Sequence, residues 1–285
     1  MGYFRFLVYK NVFIGLCSLS LFQVTLMLNN GAVSFTPGAV IVCCATILYY
    51  NFHHYSNRLS FTSVQSLKQS ILALEIKPLE RLLLLVCLIA SFAAIFFASF
   101  KILVLFFILV IVSVLYSFPI ITYKGVKIRL RENLYFKLPI LSFSWAIATV
   151  LIPLIELEIQ LTYDVFIVQF LSTAIFICIL CLPFEIRDIE KERSWGVKTI
   201  PVVFGIKFTK RMGFFLTLIA IILQLFLFSK AYYSISILIA FHAITVMAYS
   251  LLHLAPRHPS DWYCKFYVDG MMIVQFLFVF VSLKF

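Results

Sequence analysis

The sequence is poor in charged residues and in the residues that interrupt regular structure. Charged residues make up 12% of the 285 positions, against roughly 25% in ordinary soluble domains. Glycine and proline number nine each, too few for collagen-like or low-complexity chains. Seven cysteines, an odd number lying mostly in apolar runs, indicate no disulfide framework. The remainder is 63% hydrophobic with 32 phenylalanines, which indicates a membrane protein.

Nine apolar runs are long enough to cross a membrane, because a spanning helix needs about 20 mostly apolar residues. They cover residues 12–28, 37–55, 82–100, 102–118, 138–155, 163–182, 212–228, 232–252 and 266–283. Residues 82–118 are too many for one crossing, so we predict a hairpin that turns at Lys101. The runs predict an all-α integral membrane protein, with residues 1–285 forming a single polytopic domain.

The basic residues predict the orientation of these spans. With nine crossings and a cytoplasmic N-terminus, 20 of the 23 lysines and arginines fall on the cytoplasmic side. Cytoplasmic loops of membrane proteins collect Lys and Arg in this way. We therefore expect a multi-pass protein of a bacterial inner membrane with an external C-terminus. The net charge of +11 is then explained by orientation in a lipid bilayer, and no nucleic-acid partner is expected.

Residues 183–205, PFEIRDIEKERSWGVKTIPVVFG, hold the acids that favour chemistry. On one continuous helix, Glu185, Asp188 and Glu192 lie within about 60° of one another. Asp188 and Glu192 repel each other at a spacing of four residues, so a cation should offset their charge. A hard divalent ion such as Mg²⁺ suits such carboxylates. The alternative is a solvated charge run at the membrane boundary.

This segment resembles the second acid-rich motif of the UbiA superfamily of intramembrane prenyltransferases. The resemblance includes the residues that follow at family spacing, Gly196, Thr199, Pro201, Val202 and Gly205, and the Tyr116-Ser117-x-Pro119 sequence at the end of span four. It covers essentially the whole chain. It implies nine helices around a central cavity, with Glu185, Asp188 and Glu192 as metal-binding and catalytic residues.

The first acid-rich motif of the family is degenerate here. The family pattern Asn-Asp-x-x-Asp-x-x-x-Asp corresponds to residues 51–59, NFHHYSNRL, where only Asn51 is retained. Phe52, Tyr55 and Leu59 replace the acids. The neighbouring histidines, His53 and His54, either compensate as phosphate donors or ligands or simply cap a span.

Other residues are candidates for holding an anionic substrate. Basic side chains can stabilise a leaving phosphate where acids and metal are few, which applies to the lysines and arginine of the loop before span five. A carboxylate within a span normally faces a cavity or a partner, which applies to Asp269. The resulting set of predicted substrate-binding residues is Asn51, Tyr116, Lys124, Arg131, Lys137 and Asp269.

The resemblance implies a Mg²⁺-dependent transferase that moves an isoprenyl group from an isoprenyl diphosphate to a hydrophobic or aromatic acceptor. A second hypothesis is a catalytically degenerate homologue that binds or transports a lipid or small solute, which the missing acids favour. An unrelated secondary transporter is a third. It should show corresponding Gly- or Pro-interrupted spans in two halves, and no clear pair is present.

Overall fold

In the computed structural model, residues 2–56, 77–118, 121–123 and 126–284 are described, and they form a helical bundle with one small β-hairpin. Eight helices in this part of the chain are long and apolar enough to cross a membrane, and α3 adds a shorter apolar stretch. The spanning helices are α2 (Val12–Asn30), α3 (Pro37–Ser56), α4 (Pro78–Ile95), α5 (Phe100–Ser117), α6 (Lys137–Glu156), α7 (Tyr163–Arg187), α9 (Ile200–Ser229), α10 (Ile235–Leu254) and α11 (Tyr263–Ser282). Short helices α1 (Gly2–Tyr9) and α8 (Ile189–Ser194) flank α2 and α7.

These helices confirm the predicted all-α membrane fold, because each predicted run lies largely within one of them. A helix satisfies all its backbone hydrogen bonds within one segment, as a lipid environment requires. The hairpin between α4 and α5 turns over residues 96–99, and Lys101 instead lies in the first turn of α5. Helix α4 as a whole is offset towards the N-terminus, since it begins at Pro78, four residues before the apolar run, and ends at Ile95.

The loop between α5 and α6 contains a structure that the sequence did not predict. Strand β1 (Ile121–Tyr123) pairs antiparallel with β2 (Val126–Ile128), with Thr122 opposite Lys127. A single turn of 3-10 helix (Leu130–Glu132) follows and leads into α6. This hairpin sets the position at which Arg131 and Lys137 return to the helical bundle.

Helix α7 lies at the centre of the packing. It packs against α6, α9 and α10, and it contributes buried side chains such as Ile177, Ile179 and Leu180 to the main hydrophobic cluster. By contrast, α4 and α5 leave most of their apolar side chains exposed, including Phe92 and Phe107. An exposed apolar surface of this extent is suited to contact with lipid.

The acidic segment does not form one continuous helix. Helix α7 continues through Pro183 to Arg187, breaks at Asp188, and is followed by the short α8. After α8, Gly196 has a φ of 68°, and within α9 Gly205 has a φ of 82°. Both angles lie in the left-handed region that side chains rarely adopt, which gives these two glycines a backbone role.

Candidate active site

Two adjoining cavities of opposite character lie within the bundle. The polar chamber, as we name it, has a volume of about 250 Å³, and its wall includes Arg131, Lys137, Glu185, Asp188, Glu192 and Asp269. The apolar cavity has a volume of about 390 Å³ and lies between α3, α5 and α6. The walls of both cavities share five residues, which we call the junction: Tyr49, Tyr50, Tyr116, Leu141 and Trp145. An amphipathic ligand with an anionic head and an apolar tail fits this arrangement.

Lys137, the first residue of α6, forms ion pairs with two acids of the polar chamber. Its Nζ lies 2.7 Å from Oε1 of Glu185 and also donates to Oε1 of Glu192. The other carboxylate oxygen of Glu192 accepts a hydrogen bond of 2.6 Å from the Thr199 hydroxyl. Both glutamates are buried, at 5% and 8% exposure. Buried carboxylates need such partners, and Lys137 supplies a positive charge to both.

Asp188 has a different partner because it lies at the break between α7 and α8. Both of its carboxylate oxygens accept from the Arg187 guanidinium, at 2.8 Å and 2.9 Å. Arg187 also lies 3.2 Å from Asp261. A bidentate arginine–carboxylate pair of this kind is geometrically specific and strong.

The single metal face predicted for Glu185, Asp188 and Glu192 is therefore replaced by two separate ion-paired groups. All three residues line the polar chamber, as expected, but the helix break changes their relative directions. Within the described ranges, no group of three or more His, Cys, Asp or Glu side chains is arranged to hold a metal ion. The three side chains would share one face only on an unbroken helix, and the helix is interrupted at Asp188.

Arg131 enters the polar chamber from the segment after the β-hairpin. It hydrogen-bonds to Nε2 of His53, which accepts the guanidinium N–H. Burial lowers the pKa of the Arg131 guanidinium from its ordinary value, and the charge of neighbouring Arg129 acts in the same direction. The pair joins the end of α3 to the loop before α6. Lys124, the third predicted basic residue, lies outside the described residues.

Asn51, the retained residue of the first motif, is fully engaged with the protein. Its Nδ2 donates to the Lys10 and Ile47 carbonyl oxygens, each at 2.9 Å, and its Oδ1 accepts from Nδ2 of Asn11 at 3.3 Å. It is 2% exposed and is not among the described residues that line either cavity. These contacts indicate that Asn51 fixes the end of α3 against the turn between α1 and α2.

Asp269 and Tyr116 lie where the sequence predicted cavity-lining residues. Asp269 is 8% exposed, lines the polar chamber, and makes no carboxylate hydrogen bond to any residue that the structure describes. The cations whose charges act on it are Lys265 and Arg187. Tyr116 is buried at the junction between the cavities.

Sequence reasoning missed several residues of the site. Tyr49, Tyr50 and Trp145 form the aromatic part of the junction, and Arg187 and Lys191 add cations to the polar chamber. The Lys191 ammonium lies 4.7 Å from the centre of the Trp195 ring. The only signal for the junction was aromatic residues within apolar spans, and in a chain with 17% aromatics that signal has little value.

The sequence profile of one protein family matches this chain. The profile of the UbiA prenyltransferase family matches residues 76–277, well over half of the chain. A search of curated proteins finds no match.

Several solved structures share this fold at low sequence identity. A UbiA homolog from Archaeoglobus fulgidus bound to GPP and Mg²⁺ is 17% identical, with a TM-score of 0.65 over 99% of this chain and 100% of that one. A UbiA homolog from Aeropyrum pernix K1 is 13% identical, with a TM-score of 0.59 over 95% and 96% of the two chains. A digeranylgeranylglyceryl phosphate synthase is 13% identical, with a TM-score of 0.56 over the full length of both.

Proposed function

Because the chain belongs to the UbiA prenyltransferase family, we propose that it binds an isoprenyl diphosphate within the bilayer and transfers the isoprenyl group to a hydrophobic or aromatic acceptor. The observation that carries this proposal is that the polar chamber and the apolar cavity lie side by side and share five wall residues. The diphosphate belongs in the chamber and the isoprenyl chain in the apolar cavity. The volume of the apolar cavity falls within the range of about 300–1,000 Å³ typical of small-molecule sites.

The junction is where the bond between the isoprenyl carbon and the diphosphate oxygen breaks. The electron pair of that bond leaves with the diphosphate, whose added charge is stabilised by the cations of the chamber. The allylic cation that remains lies among the rings of Tyr49, Tyr50 and Tyr116, whose π faces attract positive charge. An electron pair of the acceptor then forms the new bond, and the acceptor loses a proton.

Mg²⁺ is the cofactor predicted from the sequence, and the Archaeoglobus homolog described above binds it together with GPP. The residues that would hold it here are Glu185, Asp188 and Glu192. As they lie, they do not fit a metal site, because Lys137 forms an ion pair with each of the two glutamates and Arg187 engages both oxygens of Asp188. No step of the proposed reaction is derived through the metal.

The test is binding and turnover with purified protein in lipid nanodiscs. We expect geranyl diphosphate to bind, and we expect release of diphosphate when a panel of aromatic and lipid acceptors is supplied. Ser113→Trp fills the apolar cavity, so it should weaken binding of geranyl diphosphate while leaving binding of inorganic diphosphate unchanged. Ile111→Trp is the matched control, because Ile111 is exposed on the same helix. Failure to bind any isoprenyl diphosphate would overturn the proposal.

A second candidate function is a non-catalytic protein that binds or moves a lipid or small solute through the same cavities. The observation that favours it is the pairing of all three motif carboxylates with protein cations, combined with the lost acids at positions 52, 55 and 59. This alternative predicts ligand binding without product across the whole donor and acceptor panel.

A further inference from the structure

The cations of the polar chamber already satisfy the carboxylates that a metal would otherwise bridge. Lys137 bonds to Glu185 and Glu192, and Arg187 bonds to Asp188. Glu132, another carboxylate of the chamber wall, is paired with Arg129. A metal ion would have to displace Lys137 from two buried partners. Breaking a buried pair in this way is costly, because it leaves a charged group without compensation.

The degenerate first acid-rich motif lowers the number of carboxylates in the sequence that would need a positive counter-charge. Residues 51–74 contain no Asp or Glu, so this part of the sequence brings no acids to the chamber. Four cations, Arg131, Lys137, Arg187 and Lys191, lie on the chamber wall. Divalent ions offset clustered carboxylates. The same wall carries five carboxylates, and four of them, Glu132, Glu185, Asp188 and Glu192, are already ion-paired with protein cations.

Lys137 also retains the capacity to bind an anion. An ammonium group has three N–H donors, and two of them are directed at Glu185 and Glu192. Among the described residues no third partner is found, and the side chain is 15% exposed on the chamber wall. The Arg131 guanidinium adds further donors from the facing loop, and Lys191 adds a second ammonium.

We propose that the Lys137 ammonium takes the place of a divalent metal in this chain, so that the chamber binds a diphosphate through Lys137, Arg131 and Lys191 without Mg²⁺. The inference rests on the proposed function for the identity of the anion. It differs from that function in assigning the counter-charge to side chains of the protein.

The experiment measures binding of geranyl diphosphate to the full-length protein in nanodiscs, once with EDTA and once with excess Mg²⁺. The expected result is the same affinity in both, within about twofold. Affinity that appears only with Mg²⁺ would overturn this inference while leaving the proposed function intact. Absence of binding under both conditions would overturn both.

Substituting the glutamates distinguishes a metal site from a lysine-based site most clearly, because the two predict opposite changes in affinity for the diphosphate. In a metal site, the double substitution Glu185→Gln with Glu192→Gln removes ligands and abolishes binding. In a lysine-based site it removes negative charge beside the diphosphate, so affinity in EDTA should rise about threefold or more. Loss of binding by the double variant in EDTA would therefore contradict the proposal.

A triple variant isolates the contribution of Lys137. Lys137→Met alone leaves two buried glutamates without a partner and could unfold the protein. Adding Lys137→Met to the double glutamine variant leaves no such charge, so the triple and double variants differ only in the ammonium. We expect affinity in EDTA to fall at least about tenfold between them. Equal affinity would refute the role of Lys137. Lys198→Met, an exposed residue outside the chamber wall, is the control and should have no effect.

Discussion

Asp269 differs from the other acids of the chamber because its carboxylate has no hydrogen-bond partner in the described part of the chain. In a prenyl transfer the acceptor must lose a proton, and a carboxylate on the chamber wall is suited to receive it. General bases of this kind contribute about 10²- to 10⁴-fold to rate. We expect Asp269→Asn to lower the rate of product formation at least tenfold while leaving the affinity for geranyl diphosphate within about twofold.

The control for Asp269 is Asp261→Asn, which makes the same chemical change at an exposed acid that also faces Arg187. It should leave turnover near the wild-type rate. Unchanged turnover of Asp269→Asn would remove Asp269 from the reaction. A fall in donor affinity without a fall in the maximal rate would assign it to binding.

Asn51, the residue retained from the first family motif, makes all its observed side-chain hydrogen bonds with the protein. Its three side-chain hydrogen bonds hold Lys10, Asn11 and Ile47 together. Leaving buried donors or acceptors without partners costs about 1–3 kcal/mol, so Asn51→Ala should lower the free energy of unfolding by that amount. Denaturant unfolding in detergent measures it.

A double-mutant cycle with Asn11→Ala tests the same contact. The two substitutions remove one shared hydrogen bond, so their effects should be less than additive. If Asn51→Ala instead abolished donor binding with no loss of stability, Asn51 would be a ligand residue.

At the level of helices, Gly213 controls how closely α9 approaches its neighbours. A Cβ atom at this position would lie 2.1 Å from Cδ2 of Leu252 on α10 and 3.2 Å from Cδ1 of Leu182 on α7. Leu252 and Leu182 are fully buried, so moving either side chain would require its buried neighbours to repack. Overpacking of this kind costs about 1–3 kcal/mol, and Gly213→Ala should lower the unfolding midpoint.

Gly270 on α11 provides the matched control. Among the described residues, a Cβ atom there would meet only the Phe13 ring, at 3.6 Å, which is an ordinary contact. Alanine is favoured over glycine within a helix by about 1 kcal/mol. Gly270→Ala should therefore be neutral or stabilising. A midpoint for Gly213→Ala at or above that of Gly270→Ala would contradict the close helix packing.

The whole molecule is predicted to place its termini on opposite sides of the membrane, because nine crossings are an odd number. Reporter fusions after Phe285 and within the loop containing Lys191 should report opposite sides. A fusion within residues 157–162, between α6 and α7, should agree with the C-terminal fusion. Agreement between the Phe285 and Lys191 reporters would show that the number of crossings is wrong, and the polar chamber would then open to the other side.

The spans and the family could be predicted from the sequence because they depend on local properties. An apolar run of sufficient length must form a helix in lipid, where no water is present to satisfy the backbone. The spacing of Gly196 and Gly205 after the acids likewise reflects local backbone conformation, since both adopt positive φ angles. Turn positions were less accurate, as the shift from Lys101 to residues 96–99 illustrates.

The sequence also singled out residues that line the chamber, including Lys137, Glu185, Glu192 and Asp269, but it did not determine how they pair. Lys137 and Glu192 are 55 residues apart, and only the packing of α6 against α7 brings them together. Residues four positions apart lie on the same face only within a continuous helix. The helix breaks at Asp188, so periodicity did not predict the relative directions of Asp188 and Glu192. An ion pair depends on distance in space, so the pairing of Lys137 with Glu185 and Glu192 was decided by the tertiary structure.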